Sequence, residues 1–128
     1  MNRSRVLIVE DDGDLAAALA KPLREKGYRV TVAADAGTTI DSAVRESPSV
    51  ILIDTAIRNG DAYRIMDRVR LFPELAHTPM VALTCGETMR AKRRGIRAGV
   101  VYFIDKPVEE EELLSVISVL TGRPVAPL

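Results

Sequence analysis

The run Val50-Ile51-Leu52-Ile53-Asp54 constrains this chain more than any other stretch: four consecutive aliphatic residues end on one carboxylate. Unbroken aliphatic runs belong to strands buried on both faces, which points to a central strand of a parallel sheet. Gly60 and Asp61 mark a loop a few residues on. Asp54 therefore falls at the carboxyl end of a core strand, the edge where open α/β sheets bind ligands. Two segments repeat the design: Val6-Leu7-Ile8-Val9 runs into Glu10-Asp11-Asp12, and Met80-Val81-Ala82-Leu83 runs into Thr84. If the three strand ends meet, their polar residues form one site.

The intervening residues read as helices and weaker strands. Leu15, Leu19 and Leu23 recur at helical spacing between Gly13 and Gly27, with Asp12 or Asp14 as the cap. Pro22 marks a kink or the last turn of that helix. Arg29 to Ala33 alternates, as a more exposed strand does. Ile40, Ala43 and Val44 outline a short helix that ends at Ser47-Pro48-Ser49. Ala62, Ile65, Met66 and Val69 outline a third helix, and Pro73 and Pro79 bracket an irregular link containing His77. Glu87 to Ala98 is the fourth helix, closed by Gly99. Val100 to Ile104 is the fifth strand, leading into Asp105-Lys106-Pro107. Leu113, Val116, Ile117 and Leu120 make the buried face of a last helix, with Glu109 to Glu112 at its start, where acids favour the dipole, and Gly122 at its end. Strands alternating with helices imply a parallel α/β sheet covered on both faces, with right-handed crossovers.

At 128 residues there is room for one domain. Eighteen basic residues balance eighteen acidic ones, which argues against a nucleic-acid or membrane-surface module. A single cysteine, Cys85, cannot form an internal disulfide, so a cytoplasmic location is expected. Cys85 itself reads as a small buried apolar residue. No apolar stretch is long enough to span a bilayer, and Val6 to Val9 is too short for a signal-peptide core.

Glu10, Asp11 and Asp54 would converge if the first and third strands are neighbours. Clustered carboxylates raise one another's pKa unless a cation sits among them. Oxygen-only ligands suit a hard ion such as Mg²⁺, which keeps waters and needs only one or two carboxylates. A carboxylate beside such an ion is equipped to attack a phosphoryl group. Lys106 would supply a second cation and Thr84 a hydroxyl for a phosphoryl oxygen. Taken singly, each residue has a plainer reading. Glu10-Asp11-Asp12 could be helix-capping charges, Lys106-Pro107 a turn, and Thr84 a strand-forming residue. Their joint placement at the ends of apolar strands favours one site.

At these residues the chain resembles the receiver domain of bacterial two-component response regulators, from about Arg5 to Leu120. The matching pieces are Val6 to Asp12, Val50 to Asp54, Val81 to Thr84, and Tyr102 to Pro107. The resemblance implies a flavodoxin-like, doubly wound (βα)5 fold with strand order 2-1-3-4-5, residues 1–122 forming the domain and 123–128 a tail or linker. It implies that Asp54 is the phospho-acceptor. Asp11 would be a direct Mg²⁺ ligand, Glu10 would act through metal-bound water, and the Ala56 backbone carbonyl would complete the protein ligands; Mn²⁺ would also serve. Lys106 would pair with the phosphoryl group, Thr84 would move toward it, and Phe103 would turn inward on activation. The Lys106-Pro107 bond is expected to be cis. Arg58 and Ala62 depart from the family's usual Pro and Gly in the loop and helix start after Asp54.

The same resemblance implies a phosphorylation-dependent switch and not an enzyme acting on an external substrate. Its expected partners are a sensor histidine kinase or histidine phosphotransfer protein, and an effector protein or output domain. The fourth helix carries Arg90, Lys92, Arg93, Arg94 and Arg97, while the fifth opens on glutamates. These are either solvated faces of opposite sign or a self-complementary dimer surface formed by the fourth helix, fifth strand and fifth helix. Ala56 and Gly86 lie two residues after Asp54 and Thr84, where neither side chain can order an attacking water, so a long-lived acyl phosphate is expected. Two other readings compete. A contact-only module that has lost phosphorylation is disfavoured by the intact acidic set. A phosphatase resembling the haloacid-dehalogenase superfamily needs a second Asp where Ala56 stands.

Overall fold

The computed structural model describes residues 4–58 and 61–122. The expected tail at 123–128, and Gly60 of the loop after Asp54, lie outside the described residues. The strands are β1 (Arg5–Val9), β2 (Arg29–Ala33), β3 (Val50–Asp54), β4 (Met80–Thr84) and β5 (Val100–Asp105). The helices are α1 (Gly13–Glu25), α2 (Ala36–Glu46), α3 (Ala62–Arg70), α4 (Met89–Ala98) and α5 (Glu110–Thr121), with a short 3-10 turn at Pro73–Leu75. All strands pair in parallel in the order β2-β1-β3-β4-β5.

Every residue of β3 and β4 is buried, as unbroken aliphatic runs require. Side chains alternate between two cores. Val6, Ile8, Val50, Leu52, Val81, Leu83 and Ile104 face α1 and α5. Leu7, Val9, Ile51, Ile53, Met80 and Ala82 face α2, α3 and α4. Glu10 and Lys106, just past β1 and β5, and Asp54, the last residue of β3, continue the first set, whereas Thr84 and Asp105, the last residues of β4 and β5, continue the second. The alternation thus divides the polar residues of the sheet edge into two groups.

Asp12 is the cap of α1, its Oδ1 accepting from the backbone N–H groups of Asp14 and Leu15 at 3.0 and 3.2 Å. Pro22 is buried in the last turn of the same helix. The second helix is longer than the apolar spacing indicated. It begins at Ala36 because Asp35 and Thr38 form a reciprocal capping box, Thr38 N–H donating to Asp35 Oδ1 at 2.8 Å. The fourth is shorter, starting at Met89 behind a Thr88 cap, and leaves Glu87 in the loop before it. The fifth strand runs one residue further than expected, to Asp105. Cys85 is exposed, contrary to the expected buried role, because it follows the last residue of β4 and lies past the helix-covered part of the sheet. His77 is an exposed residue of the link before β4. No helix among the described residues is long and apolar enough to cross a membrane.

Candidate phosphoryl-acceptor site

The parallel register sets β1 and β3 side by side, so Val9 pairs with Ile53, and Glu10 and Asp54 follow them at the same edge. Both carboxylates are buried, with exposures of 2% and 3%. Lys106, delivered by the chain leaving β5, places its Nζ 2.6 Å from Asp54 Oδ2. The Ala56 backbone N–H donates to Asp54 Oδ1 at 2.8 Å. The Lys106-Pro107 peptide is cis.

The charges follow from this packing. Burial acts to raise the Asp54 carboxyl, but hydrogen bonding with Glu10, Lys106 and the Ala56 amide outweighs it, and Asp54 is held below its ordinary value. It stays ionised at neutral pH. Burial disfavours the charge on Lys106, yet the Asp54 partner and the nearby Glu10 raise its pKa overall. Glu10 behaves oppositely: burial, followed by the adjacent Asp54, pushes it up to about 8.

Asp11 stands at the mouth, half-exposed, its Oδ2 accepting from the Arg58 backbone N–H at 2.7 Å. The loop that departs from the family pattern at Arg58 is thus tied to the expected ligand through its backbone. Among the described residues, no three acidic, histidine or cysteine side chains form a ready-made metal group. Mg²⁺ still suits the donors present, since it needs only one or two carboxylates and fills its remaining positions with water. Glu10 Oε1 is buried without a hydrogen-bond partner, as an oxygen meant for an ion or its water would be.

Thr84 is fully buried, and its hydroxyl donates to Asp105 Oδ1 at 2.7 Å. Phe103 is half-buried against α4. A Cβ on Gly95 would come within 3.2 Å of its ring and 3.4 Å of the Tyr63 ring, so the glycine lets both rings lie on the helix backbone. Lys92 Nζ sits 6.0 Å from the Phe103 centroid.

A second polar cluster, with no counterpart among the motifs of the sequence, lies beside this site. Glu87 accepts hydrogen bonds from Thr55 Oγ1 at 2.6 Å and from the Tyr63 hydroxyl at 3.1 Å. Burial and the Glu87 carboxylate push the Tyr63 phenol up to about 12. The available signal was the polar residue directly after Asp54, but nothing in the spacing links it to Glu87.

The family model for the response regulator receiver domain matches residues 6–118. The chain is 30% identical over 112 residues to a 14.6 kDa protein of Leptolyngbya boryana, spanning 88% of this chain and 86% of that one. Other curated relatives are longer, and the chain spans from about a quarter to somewhat over half of them. Chemotaxis protein CheY4 of Vibrio cholerae superposes with a TM-score of 0.88 at 24% identity, over 93% of this chain and 99% of that one. The receiver domain of sensor histidine kinase PA1611 of Pseudomonas aeruginosa, solved with a magnesium ion in its active-site cleft, superposes at 0.84 with 27% identity, over 94% and 99%. With the fold, the strand-end acids and a match over nearly its whole length in agreement, the chain belongs to the response regulator receiver domains.

Proposed function

We propose that this receiver is a phosphorylation-dependent switch that takes its phosphoryl group on Asp54. The observation that carries the reading is the ion pair of Lys106 with a buried, ionised Asp54 beside the partnerless Glu10 oxygen. Asp54 attacks the phosphorus of a phosphohistidine or a small acyl phosphate. A bond forms from a carboxylate oxygen to phosphorus, the bond from phosphorus to imidazole nitrogen or acetate oxygen breaks, and the leaving group keeps the electron pair. Glu10, Asp11, Asp54 and the Ala56 carbonyl would hold Mg²⁺, which neutralises charge on the transferring oxygens. Lys106 then holds a phosphoryl oxygen, and the Thr84 hydroxyl turns to it, vacating space that Phe103 takes up. A cytoplasmic site of action, a histidine kinase or phosphotransfer protein as donor, and an effector or output domain as recipient complete the reading. Incubation with acetyl phosphate and Mg²⁺ should add one phosphoryl mass to the chain and none to Asp54→Ala. Equal labelling of both removes the proposal.

Ala56 and Gly86 are both exposed and bring no polar side chain to the site. The acyl phosphate is therefore expected to outlast those of receivers with an amide or carboxylate at these places. Ala56→Asn should shorten its lifetime several-fold, read as loss of the labelled mass with time, and an unchanged lifetime counts against this account.

Four α4 cations, Arg90, Arg93, Arg94 and Arg97, are exposed, as are Glu109, Glu110 and Glu111 at the start of α5. This opposition of charge supports a symmetric dimer through α4, β5 and α5. Phosphorylation should promote association at low salt, and high salt should weaken it. Sedimentation showing monomers under both conditions excludes the dimer.

A further inference from the structure

Two side chains outside the acceptor chemistry fix the end of β4 and the loop behind it. The first is Asp105. Thr84 and Asp105 are register partners on adjacent strands, and the Thr84 hydroxyl donates to Asp105 Oδ1 at 2.7 Å, with the Ile104 carbonyl of the same strand a weaker acceptor at 3.5 Å. Asp54 lies on the opposite neighbour of β4, in register with Leu83. The hydroxyl is therefore turned toward β5 and away from the acceptor carboxylate. The second is Glu87, three residues on. Its two oxygens are taken by Thr55 and Tyr63, which lie after β3 and on α3. The Thr55 N–H also donates to the Leu83 carbonyl at 3.0 Å. Cys85 and Gly86 thus lie between two anchored points.

We infer that Asp105 and Glu87 are positioning residues that latch Thr84 and the β4–α4 loop in the resting arrangement, so that phosphorylation must break their hydrogen bonds before the switch can close. The inference rests on the proposed role of Asp54 and Thr84. A latch of this kind lowers the apparent affinity of any ligand that needs the closed state, by the fraction of molecules closed beforehand. Hydrogen bonds to charged acceptors are strong enough for each latch to hold that fraction down several-fold.

The test uses beryllofluoride with Mg²⁺ as the phosphoryl probe, titrated calorimetrically. Asp105→Ala and Glu87→Ala should each tighten probe binding on the order of 10-fold, and Mg²⁺ alone should bind as in the parent chain. Asp105→Asn keeps an acceptor for Thr84 but loses the charge that strengthens the bond, so its affinity should fall between those of the parent and Asp105→Ala. If Asn tightens binding as much as Ala, the effect is bulk electrostatics and the latch is wrong. In a Thr84→Ala background, Asp105→Ala should change nothing further, and an undiminished gain there also overturns the inference. Probe binding by the parent with no gain in either alanine variant rejects the latch and leaves the acceptor role of Asp54 standing. Failure of every chain to bind the probe rejects the acceptor reading, and the latch falls with it.

Discussion

Arg70→Ala is expected to destabilise the domain by about 3 kcal/mol, a large effect for a single side chain outside the core. Arg70 ends α3, and its guanidinium reaches three backbone carbonyls in two other segments. Nη1 donates to Leu75 at 2.7 Å, Nε to Ala98 at 3.0 Å and Nη2 to Gly99 at 3.2 Å. It thus ties α3 to the 3-10 turn and to the end of α4, supplying partners for the Ala98 and Gly99 carbonyls. Burial lowers the guanidinium pKa, though an arginine keeps its charge at any working pH. Hydrogen bonds to charged groups contribute about 1.5 to 3 kcal/mol each, and water re-entering after truncation recovers part of the sum. The fork geometry matters: lysine offers one point charge and cannot serve three carbonyls, so Arg70→Lys should recover only a minor part. The guanidinium also packs against Gly99, where φ is +111° and an added Cβ would run into Arg70. Gly99→Ala should therefore be costly for two reasons at once. Urea denaturation decides the matter. A midpoint for Arg70→Ala within error of the parent would show the clamp to be idle.

The second large effect concerns pH. In the metal-free protein, stability should fall as pH rises from about 5 to about 8.5. Glu10 is raised from 4.5 to about 8, so across this interval the folded chain keeps a proton that the unfolded chain has released. The unfolded state binds fewer protons there, and by linkage stability declines with pH. Asp54 is lowered and Lys106 raised, so both hold their charges throughout and neither reverses the slope. At roughly 1.4 kcal/mol per pKa unit the loss amounts to a few kcal/mol. A cation at Glu10 competes with that proton. Mg²⁺ should therefore raise the melting temperature more at the alkaline end than at the acidic end. Glu10→Gln should flatten the profile and weaken Mg²⁺ binding on the order of 10-fold or more. Thermal melts across pH, with and without Mg²⁺, test this. A metal-free protein that gains stability over the interval contradicts it.

The central sheet and the gathering of Glu10, Asp54 and Lys106 at one edge were legible in the sequence because burial on both faces writes itself as an unbroken aliphatic run. Val6 to Val9, Val50 to Ile53 and Met80 to Leu83 announce their strands, and the first polar residue after each lies at the working edge. The missed features depend on contacts between distant segments. The start of α2 was hidden because Gly37, Thr38 and Thr39 are poor helix formers, and a Thr in place of the usual Glu or Gln completes its capping box. Glu87 reads as a helical residue from its neighbours, and only the fold brings Thr55 and Tyr63 to it. Cys85 looks buried because it abuts a buried strand, yet the helical cover ends at Thr84. Asp105 was visible beside Lys106, but its bond to Thr84 depends on the β4–β5 register, which includes a shift between Met80 and Val81. Arg70 gave no signal, since its partners are all backbone carbonyls.

Chemical trapping of the modified residue tests the central claim most directly. After reaction with acetyl phosphate and Mg²⁺, borohydride reduces an acyl phosphate to an alcohol and so converts an aspartyl phosphate to homoserine. Peptide mapping should find homoserine at position 54 and at no other acidic residue. Homoserine at Asp11, reduction at Glu10, or a phosphoryl group that survives on His77 would contradict the assignment of Asp54 as the acceptor.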